Sequence, residues 1–270
     1  FISIQNGTRF VTGDILEKLE KGNKKYKIDF YFTFNECYSE IMNKYIEGSY
    51  KVIGSYKNNF FNISKNYKKN TICYISRMSD IFLEFSKKSN LNLLKKNYMP
   101  WEISLVEYIN ELVKNINIFC EKKNINLNIL GSSPNPVLEK NFFNNIFKKE
   151  SFNFIPKNKI YDSYKNIDEY EVLINPMSTF GYEALAREKK VCFFSGDFIT
   201  GSSFMWPLSD LKKGNFYTNS NALDEVSRVI DYLLNIDDKA WVNEISTFNK
   251  KLFFYDKDNL SLKNFLTKNN

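Results

Sequence analysis

The stretch Glu171–Ser195, EVLINPMSTFGYEALAREKKVCFFS, decides how this chain reads. EVLIN is a short apolar run with β-branched residues, closed by Pro176, which suits a strand buried on both faces of a parallel sheet. Ser178 or Thr179 then offers a hydroxyl to the orphan amides of a following helix. YEALARE favours helix, and the basic run Arg187-Glu188-Lys189-Lys190 suits the negative end of its dipole. VCFFS is a second buried strand. Such a strand–turn–helix leaves N–H groups and a positive dipole end above the sheet edge, where phosphate is favoured and where ligands of open α/β sheets sit. Glu183 is expected in the first helical turn, within reach of that seat. The same spacing also fits a capping partner for Thr179 or Phe180, or plain dipole complementarity. An ordinary αβ unit and a ligand seat both remain open on spacing alone.

Outward from this stretch, apolar runs alternate with amphipathic ones. Strands are expected at 1–7, 27–34, 50–54, 71–77, 125–131, 151–155 and 214–219. Helices are expected at 36–46, 101–120, 137–147, 222–235 and 239–252, from apolar residues at three- and four-residue spacing. A short helix or mobile loop is read at 14–21. The segment 79–100 reads as a polar insertion or lid with the short apolar stretch IFLEF inside it, and 196–210 as a loop able to close over a ligand or as a hydrophobic plug on the sheet end. The alternation predicts an α/β fold, a Rossmann-like parallel sheet with helices on both faces.

Several turns stand at predicted strand ends. Gln5-Asn6-Gly7 could face a ligand or be a β-turn chosen for its Asn-Gly pair. Gly54-Ser55 either lets a backbone approach a ligand closely or punctuates two elements. Gly131-Ser132 opens a Gly-Ser-Ser-Pro turn. Arg77 ends a strand, where a guanidinium could pair with phosphate, or simply be solvated.

The 270 residues suffice for one large or two small domains with a real core, and 43% hydrophobic with 26% charged residues is ordinary for a globular chain. A net charge of +7 fits a phosphate-bearing ligand or an anionic membrane surface, and no recognition motif argues for nucleic acid. The abundance of Lys, Asn and Ile looks like genome bias rather than chemistry. Histidine is absent, which removes His-based triads and the usual zinc hydrolase sites. Four scattered cysteines, with Cys73 and Cys192 inside predicted strands, fit a reducing compartment. No apolar run approaches the ~18 residues of a membrane span. The sequence starts at Phe1 in apparent mid-strand, and a preceding N-terminal region is expected.

The pattern STFGYEAL followed by KKVCFFS resembles the donor-site segment of GT-B glycosyltransferases, closest to bacterial surface-carbohydrate (capsule and lipopolysaccharide) transferases. The turns QNG and IGSYKNN are similar to that family's cleft turn and to its turn at the start of the second domain. The resemblance implies the tail of an N-terminal Rossmann-like domain over 1–48, a nucleotide-sugar-binding domain over 49–236, and a C-terminal helix over 237–270 returning toward the first domain. It implies that Ser178, Thr179, Phe180 and Gly181 form the phosphate turn and that Glu183 clamps a ribose or sugar hydroxyl. Arg77, Gly54, Ser55, Gly131 and Ser132 would complete the donor site, with Gln5, Asn6 and Gly7 in the cleft. The segment 155–161 would meet the donor base.

The implied activity is metal-independent transfer of a sugar from a nucleotide-sugar, a substrate rather than a cofactor, to a glycan or lipid-linked acceptor. The expected location is the cytoplasm, with contact at the inner membrane surface. A sugar-nucleotide epimerase, a polyol-phosphate transferase and a non-catalytic binding module are the alternatives on this scaffold. No residue presents itself as the catalytic base.

Overall fold

The computed structural model describes residues 1–7, 21–22, 25–86, 95–147, 151–157, 159, 161–176, 178–196 and 213–268. Arg9, the expected helix or loop at 14–21 save its last residue, and nearly all of the loop at 196–210 lie outside these.

The chain forms two parallel sheets. The smaller has the order β1 (Ile2–Ile4), β2 (Tyr26–Thr33), β3 (Ile46–Val52). The larger has the order β6-β5-β4-β7-β8-β9, from β4 (Lys68–Ile75), β5 (Asn126–Leu130), β6 (Phe152–Ile155), β7 (Tyr170–Asn175), β8 (Lys190–Phe194) and β9 (Tyr217–Thr218). All named ladders are parallel. Counted within the larger sheet, this is the doubly wound order 3-2-1-4-5-6, whose strand order reverses between β4 and β7. The crevice at such a reversal is where ligands of these sheets bind.

The deciding stretch folds as expected. Every residue of β8 is buried, and Val172, Leu173 and Ile174 of β7 are fully so. Each large apolar side chain in this layer contributes about 1.5–3 kcal/mol. Between them lies α6 (Thr179–Ala186). The helices α3 (Pro100–Lys123) and α7 (Leu223–Asn235) pack together, and α7 also contacts β7 and β8. α4 (Pro136–Ile146) contacts α3 and α2 (Asp80–Ser86), and its Phe142 and Phe143 pack in the main core. The 79–100 segment is thus not all polar insertion. Ile81 and Phe82 of IFLEF are buried in that core, because a single turn of apolar side chains suffices to seat a short helix.

The expected 48/49 boundary falls within β3. β3 pairs with β2, with Tyr31 opposite Tyr50 and Thr33 opposite Val52, so Tyr50–Val52 complete the smaller sheet. The chain crosses between sheets over residues 53–61, and the larger sheet starts at Lys68. At the other end, α8 (Asp238–Ser246) buries Trp241 in the main core. The chain then returns through α9 (Asn249–Leu252) to α10 (Leu260–Lys268), whose Leu262 packs with Phe32 and Ile53 of the smaller unit. The return toward the first domain expected for 237–270 is completed by α10 rather than by one long helix over 239–252.

The crossing and the return run side by side. Gly54 has φ +71, and a Cβ there would lie 2.1 Å from the Phe254 carbonyl oxygen, so glycine is required for the close approach of the two segments. Asn59 stitches them: its Nδ2 donates to the Ile53 oxygen and Asn259 Oδ1, and its Oδ1 accepts from the Asp256 amide.

A cavity at the strand-order reversal

A cavity of about 460 Å³ opens where β4 and β5 end and α6 begins. Its floor is Ile75, Ser76, Leu130, Gly131 and Ser132, and its far wall is Ile4, Gln5, Asn6 and Phe34 from the smaller sheet. The crossing segment adds Ser55, Tyr56 and Lys57. Ser178, Thr179, Phe180 and Glu183 line it from α6, and Ser163 and Tyr164 from α5 (Asp162–Asn166). The exposed Lys57 and Lys157 line it as well and bring positive charge.

Nine sequence-predicted residues therefore meet in one place: Gln5, Asn6, Ser55, Gly131, Ser132, Ser178, Thr179, Phe180 and Glu183. Four others are not part of the lining. Gly7 lies against the turn, where a Cβ would be 3.7 Å from Thr179 Oγ1. Gly54 serves the close approach to Phe254 rather than to a ligand. Gly181 is required because a Cβ would come within 2.2 Å of Asn175 Cγ. Arg77 lies exposed beyond β4.

The turn before α6 is held from within. Asn175, fully buried at the end of β7, accepts from the Ser178 amide (3.0 Å) and donates to the Ser178 carbonyl (3.0 Å). Ser178 is the N-cap, its Oγ accepting from the Phe180 amide at 3.2 Å, and the Gly181 amide bonds to the Ser178 oxygen. The expectation that helix-end amides wait for phosphate is corrected for Phe180 and Gly181, whose N–H groups are already bonded.

Glu183 sits in the second turn, not the first, and its side chain is buried. Ser55 Oγ donates to one carboxylate oxygen at 2.5 Å, and the Tyr164 hydroxyl to the other at 3.0 Å. Asn58 Nδ2 holds the Glu183 carbonyl at 2.8 Å. Burial pushes the Glu183 carboxyl above the usual range, opposed by the Ser55 and Tyr164 hydrogen bonds and by the charges of Lys57 and Arg187. Glu183 is not a capping-box partner; its carboxylate faces hydroxyls from two other segments.

Tyr164 is fixed by aromatic packing, stacked on Phe61 and edge-on to Phe180. Beneath it lies Arg187, with no exposed side-chain surface, donating to the Tyr164 carbonyl (2.9 Å) and to Asp168 (3.3 Å). The basic run after α6 is thus internal. Lys190 is buried between Glu171 and Asp238 and donates to the Ile236 carbonyl at 2.6 Å. Lys189 is pulled down to about 8 by burial.

Reading of the sequence missed Glu139. Fully buried in α4, its carboxylate accepts from the Ser132 and Ser133 amides at 2.9–3.1 Å and from Ser76 Oγ at 2.5 Å. The Gly131-Ser132 turn is therefore filled by an internal anion. The only signal was a Glu following the capping Asn135 in GSSPNPVLE. Tyr164 and Lys157 were also missed, although Lys157 falls in 155–161, the segment expected to meet the donor base.

Among the described residues, no helix is long and apolar enough to cross a membrane, and no cluster has the makings of a metal site. No curated protein matches the chain. Among solved structures, it is similar to a "putative UDP-N-acetylglucosamine 2-epimerase from Listeria monocytogenes" (TM-score 0.54, 10% identity), covering 88% of this chain and 58% of that one. It is also similar to a chain of a GtfA/B complex (TM-score 0.52, 8% identity), covering 99% of this chain and 52% of that one. The chain spans little more than half the length of these neighbours, and at such identities the likeness concerns the Rossmann-like, GT-B type of fold alone. A family model described as "putative O-antigen biosynthesis protein" matches residues 2–270. The chain belongs to this O-antigen biosynthesis family, and its fold is of the Rossmann-like, GT-B kind.

Proposed function

We propose that the cavity binds the donor of a sugar transfer in O-antigen biosynthesis, a nucleotide-sugar. One observation carries this reading: Glu183 presents a buried carboxylate, held among the described residues by the side-chain hydroxyls of Ser55 and Tyr164, in a cavity at the strand-order reversal and between two parallel sheets. A ligand hydroxyl can add to or replace those of Ser55 and Tyr164, which makes Glu183 the hydroxyl clamp. The phosphate would be met by Lys57 and Lys157 as point charges and by the Ser178 and Thr179 side chains, rather than by the Phe180 and Gly181 amides. In the transfer, an acceptor hydroxyl attacks the anomeric carbon and gives up its proton to the departing phosphate or to water, while the bond from that carbon to the phosphate oxygen breaks with its electron pair leaving on phosphate. Fixed positive charge at that oxygen stabilises the transition state. The acceptor is a glycan or a lipid-linked one, and the net positive charge would favour a cytoplasmic protein at the inner membrane surface. No metal or other cofactor is needed in this reading.

The test is a thermal-shift screen against CMP, CDP, UDP, GDP and their sugars. Saturation at a hundred times Kd adds about 2.7 kcal/mol of stability. A shift selective for one nucleotide, present in the native chain and lost in Glu183→Ala and Ser178→Ala, is expected. No shift from any nucleotide in a folded sample would sink the reading. Conversion of the bound sugar to its epimer without acceptor would replace transferase by epimerase.

A further inference from the structure

A second, much smaller cavity of about 20 Å³ also touches Glu183 and Ser55. Its wall is drawn from the crossing segment, from α6 and from the return segment, with Asn35, Asn58, Ala186 and Leu252 among its residues. Asn58 has no exposed surface. Its Nδ2 donates to the Glu183 carbonyl, which fixes the orientation of the amide, because the flipped form would set oxygen against oxygen. Asn58 Oδ1 is then a buried acceptor with no hydrogen bond among the described residues. A group left in that condition costs about 1–3 kcal/mol, and buried acceptors are as a rule satisfied by protein or by ordered water.

The two observations coincide in one place. The cavity exceeds the roughly 10–15 Å³ that a water requires; its wall is mostly apolar, and Asn35, Ser55, Asn58 and Glu183 are the polar residues on it that offer partners. We propose that this cavity is a water site, in which a single water donates to Asn58 Oδ1 and bonds in turn to polar groups of the same wall, Ser55 and Glu183 foremost. The positive charges of Lys57 and Arg187 already act on the Glu183 carboxylate, so no uncompensated charge calls for a cation instead. The water provides internal solvent to a carboxylate that burial otherwise strips of it. It also lies where crossing, return and α6 converge, so any displacement among the three changes its wall.

The inference does not depend on the donor reading and is tested on the ligand-free chain. A crystal structure at a resolution that reveals buried waters should show one peak within hydrogen-bond distance of Asn58 Oδ1. Asn58→Leu, of similar volume without polar atoms, should lose the peak. In solution, water magnetisation should transfer to the Asn58 side-chain amide protons. An empty cavity in the wild-type crystal, with other buried waters visible, would overturn the proposal. So would a peak that takes up rubidium or thallium with anomalous signal, which marks a cation.

Discussion

Two loops at the same sheet edge carry the same parts and put them to different ends. Each follows a central strand, carries serine, and leads into a helix with a buried glutamate in its first two turns: Gly131–Ser133 with Glu139, and the turn closing on Ser178 with Glu183. Glu139 folds back onto the amides of its own loop and is complete without a ligand. Glu183 leaves its own turn to Asn175 and Ser178 and takes hydroxyls from the crossing segment and α5 instead. Backbone amides cannot be withdrawn without unfolding the loop, whereas side-chain hydroxyls can rotate away. The difference separates a carboxylate that builds the site from one that is available to serve it.

The sharpest way to break this contrast is Glu139→Ala, which strands two buried amides and the Ser76 hydroxyl. It should cost about 4 kcal/mol in urea denaturation, and an unchanged midpoint would erase the distinction. Arg187→Met removes the buried cation under Tyr164 and leaves Asp168 unpaired, for about 3 kcal/mol by the same measurement. If the loss is much smaller, Tyr164 is held by its aromatic neighbours alone.

Glu183→Gln should change stability at neutral pH by less than about 1 kcal/mol, because an amide keeps the shape without the desolvated charge. Its signature is in pH. The folded chain retains the Glu183 proton to higher pH than the unfolded chain, so this group removes stability as pH rises from the ordinary glutamate value through its raised folded value. The wild-type minus Gln difference should fall across that window and be level on either side; a level difference throughout would show that burial does not raise the Glu183 carboxyl. Ser55→Ala is the mildest change, about 1 kcal/mol. By withdrawing a bond that favours the charged form, it should move that window upward, which the same titration of stability reads.

The strands were legible because strands buried on both faces are written as unbroken apolar runs, as in VLIN and VCFF, and the Rossmann-like order followed from their alternation with helices. Sheet membership was not, since Tyr50–Val52 look alike whichever neighbour they pair with. The run from Arg187 to Lys190, read as complementing the helix dipole, is internal for a reason the sequence does not carry. Its partners Asp168, Glu171 and Asp238 are brought in by tertiary structure, and adjacent basic residues by themselves read as surface. At the cavity, turns rich in Gly and Ser gather, but the glycines there have packing reasons. Gly54 and Gly181 answer to Phe254 and Asn175, and Glu139 gave only a capping-like spacing among many.

The doubled passage between the sheets constrains how this molecule can breathe. With Gly54 pressed on Phe254 and Asn59 bonded to the return segment, the two covalent joins behave as one pin rather than two tethers. Sliding or stretching the halves apart breaks that stitching; swinging about it spares the most. Gly7 and Thr179, which face each other from opposite sheets, then mark the aperture, and its width is the natural coordinate of opening.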